Sequence, residues 1–317
     1  MNVLRITGIL LLLGLQGVSA KNTGLRVQWF HQAQFAGYYA AIEKGYYKAL
    51  GVDFTIEEGG PTSNGILEIC RSEKVNFATA WLSGGMEFAS KGTPIVNVAQ
   101  IFPNSMLVLV ANKKSNITKF SDMNGKKIGY WAGMFSTPIK TLVRQQKITP
   151  NLVEEGFDMM PFVNGNYDAI GEVISVMLYN EYNILLEKGM KESDLIIFNP
   201  KDFNANFPED GLYVSQKYLS ENKEIVQSVV KATLQGWQFV IDNEKEALDI
   251  VMKYSKGDRI HQGKMLSAII KNIPVKAKVN HLLNEKDFNF VKDSLLNSGY
   301  LGTNEIKYSS FFNNVLK

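Results

Sequence analysis

From Leu25 onward, short apolar runs rich in β-branched residues alternate with stretches whose apolar positions recur at helical spacing. That alternation predicts α/β architecture with largely parallel sheets. The first series reads as strand 25–29, helix 35–50, strand 52–56, helix 65–71, strand 75–81, short helix 85–91 and strand 95–102. Within 35–50, Phe35, Tyr38, Tyr39, Ile42, Tyr46 and Leu50 lie near the helical period, and Gly51 stops the run. Residues 106–111 are the densest apolar run and predict a strand buried on both faces.

A polar stretch, Asn112-Lys113-Lys114-Ser115-Asn116, then interrupts the pattern and reads as a hinge. Beyond it the spacing predicts strand 126–131, helix 138–147, strands 157–163 and 173–179, helix 181–189 and strand 195–198. Residues 200–210 carry two prolines and no periodicity, as a return crossing would. After a strand at 212–215 the chain turns helical through 223–243, 246–254, 262–271 and 285–296. One domain, 21–112 with 211–317, is thus interrupted by another, 113–210. Two α/β domains joined by two crossings describe a clamshell, and clefts between domains are favoured ligand sites.

Composition narrows the picture. The 317 residues are 45% apolar and 21% charged, a globular balance that excludes a disordered or disulfide-stapled chain. A net charge of +3 without a basic run argues against a nucleic-acid partner. Residues 1–20 carry Arg5, an apolar stretch too short to cross about 30 Å of hydrocarbon, and the small-x-small ending Val18-Ser19-Ala20. They predict an export signal cleaved after Ala20, with no lipid-anchoring cysteine behind it. The single Cys70 excludes an internal disulfide and multi-cysteine metal sites, and as an odd thiol is expected to be buried.

In open parallel sheets, ligands bind at the carboxyl ends of the strands. There the first domain offers Gln34, Phe35 and Tyr38 in an amide- and aromatic-rich entry to a helix, then Gly59-Gly60-Pro61, then Trp81. The second offers Trp131 in Trp131-Ala132-Gly133-Met134-Phe135-Ser136, then Tyr179, Asn180 and Glu181. Trp81 and Trp131, one per domain, would close on a planar ring from opposite sides. Glu181 or Asp210, Asn180 or Gln34 would pair with its nitrogen-bearing edge. Glu181 equally suits a helix N-terminus. A sulfonate or phosphate would instead favour the helix starts after Gly60-Pro61 and at Ser136-Thr137. Catalytic signatures are missing: no G-x-S-x-G, H-E-x-x-H, P-loop or G-x-G-x-x-G occurs. His31 reads as structural, His261 and His281 as remote from the strand ends, and no metal or cofactor is expected.

Several segments carry a family resemblance. Val27-Gln28-Trp29, Gln32-Ala33-Gln34-Phe35-Ala36-Gly37-Tyr38-Tyr39 and Glu43-Lys44-Gly45-Tyr46-Tyr47 resemble the opening of one family of periplasmic substrate-binding proteins. Trp81-Leu82, the stretch Asn97 to Phe102, Gly125-Lys126-Lys127-Ile128-Gly129, Tyr179-Asn180-Glu181-Tyr182 and Asp210-Gly211-Leu212 follow in order. The family serves ABC importers and handles thiamine pyrimidine precursors, with relatives for riboflavin and sulfonates. The resemblance implies a type II periplasmic-binding-protein clamshell that acts in the periplasm as a monomer. Its partners would be a small heterocyclic ligand, a pyrimidine first and a flavin next, and an inner-membrane ABC permease. A ligand-sensing module for a receptor would share the same pocket.

The family's fold also serves a thiamine pyrimidine synthase that uses a cofactor lysine, a donor histidine and a cysteine-rich motif. An ungapped alignment puts Ala80 and Gly84 at the lysine and the histidine. Neither can form an imine or donate an imidazole, and one cysteine cannot build the motif. The chain is therefore expected not to be an enzyme.

Overall fold

The computed structural model describes residues 21–273 and 280–317, so the expected signal segment 1–20 lies outside the described residues. Ten strands build two five-stranded sheets. They are β1 (Lys21–Arg26), β2 (Val52–Glu57), β3 (Val75–Ala80), β4 (Ile95–Gln100) and β5 (Leu107–Asn112). The chain continues with β6 (Lys127–Tyr130), β7 (Asn151–Glu154), β8 (Val173–Met177), β9 (Leu195–Phe198) and β10 (Gly211–Ser215). One sheet runs β2-β1-β3-β10-β4 and the other β7-β6-β8-β5-β9. Helices flank both, giving a two-domain α/β clamshell.

The sheets are mixed rather than largely parallel. In the first, β10 lies antiparallel between β3 and β4; in the second, β5 lies antiparallel to both β8 and β9. Each of these strands enters its sheet directly from a crossing, without the helix a parallel neighbour requires. The first crossing also moves. β5 pairs within the second sheet, so the chain passes between lobes after Gln100 and before Leu107, ahead of the polar stretch expected to be the hinge. That stretch is only a 3-10 turn, Lys113–Ser115, at the strand's far end. The apolar density of β5 reflects burial on both faces: all six of its residues are buried.

Two further expectations change. No strand forms at 157–163; a short helix, Met160–Val163, stands there with a proline in its first turn, and β7 precedes it. The helix expected at 35–50 breaks into a 3-10 turn, Ala33–Phe35, and helices Ala36–Glu43 and Tyr46–Ala49. Gly45, at φ 71°, makes the break in the left-handed region. The lone Cys70 is exposed, not buried.

The C-terminal helices cover the first lobe. Lys223–Asp242 packs along Ala36–Glu43, where Trp237 is fully buried against Tyr38 and Phe102 at ring separations of 6.2 and 5.3 Å. Gly37 lets this happen, because a Cβ there would stand 2.2 Å from the Trp237 ring. Helices Arg259–Asn272 and Glu285–Asn297 also reach the second lobe, touching Glu181–Glu187 and Ser136–Gln145.

Candidate functional site

The carboxyl ends of β1 and β3 face those of β6, β7 and β8 across the interlobe cleft and border a cavity of about 400 Å³, counting space open to solvent. The first lobe contributes Gln28, Trp29, Gln32, Gln34 and Trp81. After β1 the chain makes one more sheet bond, Val27 N to Glu57 O at 3.1 Å, and then peels off toward the cleft. Gly59 permits this close passage, since a Cβ there would meet the Val27 carbonyl oxygen at 2.0 Å. The amides behind the wall are locked together. Gln32 Nε2 donates to Gln34 Oε1 at 2.7 Å, Gln34 Nε2 to Asp210 Oδ2 at 2.8 Å, and Gln28 Nε2 to Asp210 Oδ1. Asp210, expected to reach a ligand, is thus committed to two glutamines and does not line the cavity.

The second lobe supplies Trp131 and Phe135 after β6, Phe157 after β7, and Met177, Tyr179, Asn180 and Glu181 around the end of β8. Five rings meet here. Phe135 stands edge-on to Trp81 at 4.8 Å, Trp29 at 6.0 Å and Trp131 at 6.5 Å. Phe157, about half exposed, reaches Trp29 at 5.0 Å and Trp131 at 6.2 Å. The two tryptophans expected to sandwich a ring therefore form an aromatic box, with Phe135 in contact with both.

Of the eight residues singled out from sequence, the cavity brings together Gln34, Trp81, Trp131, Tyr179, Asn180 and Glu181. Phe35 and Tyr38 are elsewhere. Both are buried in the core: Phe35 ends the 3-10 turn, and Tyr38 packs against Trp237 because the C-terminal helix claims that face of helix Ala36–Glu43. Sequence reasoning missed Trp29, which it absorbed into the first strand, Phe157, which it placed in a strand, and Gln28, Gln32, Phe135 and Met177. The positions of Trp29 and Phe135 just after strands were the available signal. His261, expected to be remote, spans the cleft: its Nε2 lies 2.9 Å from Asn180 Oδ1.

The seam is rich in buried acids. Burial pushes the Glu181 carboxyl up to about 7, against hydrogen bonds from its own and the Met177 backbone and from Asn180. Burial likewise raises Asp210 to about 7, opposed by Gln34 and Gln28. Glu209 rises to about 8 through burial and the neighbouring Asp210, against donors at Met106, Ser105 and Leu107. Those donors sit on the first crossing and Glu209 on the second, with Ser105 Oγ donating at 2.9 Å. Ile101 N donates to Asp210 O at 3.1 Å, so the two crossings are stapled side by side.

Polar atoms of three wall residues have no partner among the described residues: the indole Nε1–H of Trp81 and of Trp131, and Gln28 Oε1. A second cavity of about 1140 Å³ adjoins through Gln28 and Phe135 and is bordered by Gly60, Gly133, Ser136, Lys140 and Tyr300. The Lys140 ammonium sits 4.7 Å over the Tyr130 ring and has no carboxylate within 4.0 Å among the described residues. Ala80 borders this second cavity, and Gly84 is buried in helix Leu82–Ser90. Among the described residues no group of three His, Cys, Asp or Glu could hold a metal, and none of their helices is long and apolar enough to cross a membrane.

Two mixed sheets facing across a walled cavity, with two chain crossings, define the periplasmic-binding-protein fold. The periplasmic aliphatic sulphonate-binding protein SsuA of Escherichia coli shares it at a TM-score of 0.68, with 13% identity over 90% of this chain and 91% of that one. Residues 32–247 match the family described as NMT1/THI5 like, and the chain belongs to that family. Among curated relatives, the formylaminopyrimidine-binding protein of Halalkalibacterium halodurans is 25% identical over 71% of this chain and 68% of its own length. The riboflavin-binding protein RibY of Chloroflexus aurantiacus is 24% identical over 73% of this chain and 65% of its own.

Proposed function

We propose that this chain is an exported solute-binding protein that captures a small planar heterocycle between its lobes and hands it to an inner-membrane ABC importer. It works as a periplasmic monomer and binds without transforming its ligand. A thiamine pyrimidine precursor is the first choice and riboflavin the second. One observation carries the choice: the aromatic box holds two unpartnered indole N–H donors and one unpartnered amide oxygen. An aminopyrimidine presents the complement, two ring nitrogens that accept and one exocyclic amine that donates. Leaving such groups unpaired costs about 1–3 kcal/mol each, which a matched ligand recovers. The names of two relatives point to the same ligands.

A second reading has its own support. Lys140 and Ser136 beside the adjoining cavity would suit a sulfonate or phosphate tail, with the ring in the box. Titration calorimetry with formylaminopyrimidine, riboflavin, an alkyl sulfonate and pyridoxal phosphate separates these outcomes. Saturable binding of formylaminopyrimidine, with a melting shift worth about 2.7 kcal/mol at a hundredfold excess over Kd, is expected. Binding of pyridoxal phosphate alone would overturn the assignment in favour of an enzyme.

A further inference from the structure

The cleft is bridged at one edge by a side chain that no part of the ligand reading has used. His261 belongs to helix Arg259–Asn272 of the first lobe, and its ring lies between two groups of the second. Nε2 is 2.9 Å from Asn180 Oδ1, and Nδ1 is 3.1 Å from Glu187 Oε2. Lys264, one turn along, donates to Glu187 Oε1 at 2.9 Å. Asn180 lines the cavity, and its Nδ2 donates to Glu181 Oε1. The next residue on the bridging helix, Gln262, accepts from Ala33 N at 2.7 Å and so fixes the turn that carries Gln32 and Gln34. One helix turn thereby holds both cavity walls.

Taking the cavity as the ligand site, we infer that His261 is a positioning residue: it latches the lobes in the closed state and sets the orientation of Asn180, and it does so only when doubly protonated. The chemistry follows from the partners. A carboxylate can only accept, and Asn180 Oδ1 can only accept while its amide nitrogen serves Glu181. Both ring nitrogens therefore face acceptors, and only the imidazolium donates to both. A neutral ring puts a lone pair against one of them. Rotating the Asn180 amide would relieve that clash but would turn its oxygen toward Glu181, which can donate to it only while that carboxyl keeps its proton; once Glu181 ionises, the rotation breaks their bond. The latch therefore loosens when the ring gives up its second proton.

One further group adds to the pH response through Asn180, the buried Glu181 carboxyl; the other charges near the ring are already engaged. Arg259 is paired with Asp249 of the preceding helix, and Asp258 caps the bridging helix through Ile260 N and His261 N. Lys264 and Glu187 form a partly exposed pair that holds the second lobe only weakly.

Stopped-flow fluorescence of the cavity tryptophans, with formylaminopyrimidine as the probe, tests the latch. In the wild type the dissociation rate should rise about tenfold from pH 6 to pH 8, the scale of a lost charged hydrogen bond. His261→Ala should release the probe about tenfold faster at pH 6 and respond to pH clearly less than the wild type, keeping only the part due to Glu181 and Asp210, with association changed less than twofold. His261→Lys, a permanent donor toward Glu187, should restore much of the slow release while keeping the reduced pH response of His261→Ala. A ligand-free arm uses nitroxides on the exposed Cys70 and on Ser193→Cys, one per lobe, with the distance read by pulsed electron resonance. The short-distance population should fall with rising pH in the wild type and fall clearly less in His261→Ala. If neither measurement separates His261→Ala from the wild type, the latch is wrong. If formylaminopyrimidine fails to bind while the label distances still follow pH, the latch stands and the ligand reading falls.

Discussion

The two lobes share one plan and differ in what they present. Both sheets run in the same order, with one antiparallel strand, β10 or β5, inserted next to the edge strand. At matching carboxyl ends, however, the first lobe offers a chain of amides anchored on Asp210. The second offers Phe135, Phe157, Tyr179 and Glu181. Topology decides where loops converge, and the residues on those loops decide what is recognised there. The lobes are also supported differently. The first leans on four C-terminal helices and Trp237, while the second has its own smaller core around Val108, Phe162 and Ile174.

The largest effect should come from breaking that support. Trp237→Ala leaves a cavity beneath Tyr38 and Phe102 and should cost about 3–5 kcal/mol in denaturant unfolding. Hydrogen exchange should show the loss in the first lobe, with β5 and β8 still protected. Equal loss in both lobes would mean that they unfold as one unit. Trp131→Ala attacks the cavity instead. It should weaken formylaminopyrimidine binding by about 1.5–3 kcal/mol, roughly 10- to 150-fold by calorimetry, and cost less stability than Trp237→Ala. Unchanged affinity would remove the aromatic box from the binding account. The same substitution at Trp81 reports whether the lobes contribute equally.

The seam gives a pH prediction. Glu181 and Asp210 are raised to about 7 and Glu209 to about 8, so the fold holds protons that the unfolded chain has already released. Stability is therefore complete below about pH 4 and is lost as the pH climbs through 7 and 8. Each such carboxyl contributes at most about 1.4 kcal/mol per pH unit. Urea unfolding at pH 5.5 and 8.5 checks the sign, and Glu209→Gln should flatten the upper end of the slope. The smallest effect belongs to Lys140→Met. It should weaken an alkyl sulfonate by about 1 kcal/mol and leave formylaminopyrimidine unchanged. Equal weakening of both probes would place Lys140 against the ring itself.

Much of this molecule can be read along the chain. Strand 195–198 matches β9, and the helix read at 223–243 ends one residue beyond Asp242. Six of the eight proposed site residues line one cavity, since each follows a strand whose end the fold turns inward. Phe35 and Tyr38 show where local reading fails. Their pattern is that of any amphipathic helix; Phe35 falls in a 3-10 turn instead, and for Tyr38 the distant Trp237 determines that its face is core. The strand read at 157–163 fails for a similar reason, because a short apolar run suits a buried helix equally well.

Periodicity, turn residues and strand ends thus determined from sequence alone that the chain is α/β, two-lobed and aromatic at its cleft. Those signals are local and repeat every few residues. The direction of the inserted strands, the true position of the first crossing, the five-ring box and the reach of His261 to Asn180 were decided only by tertiary structure. Each depends on partners that lie far apart along the chain, 81 residues in the case of His261, and no local pattern encodes which partner will be met.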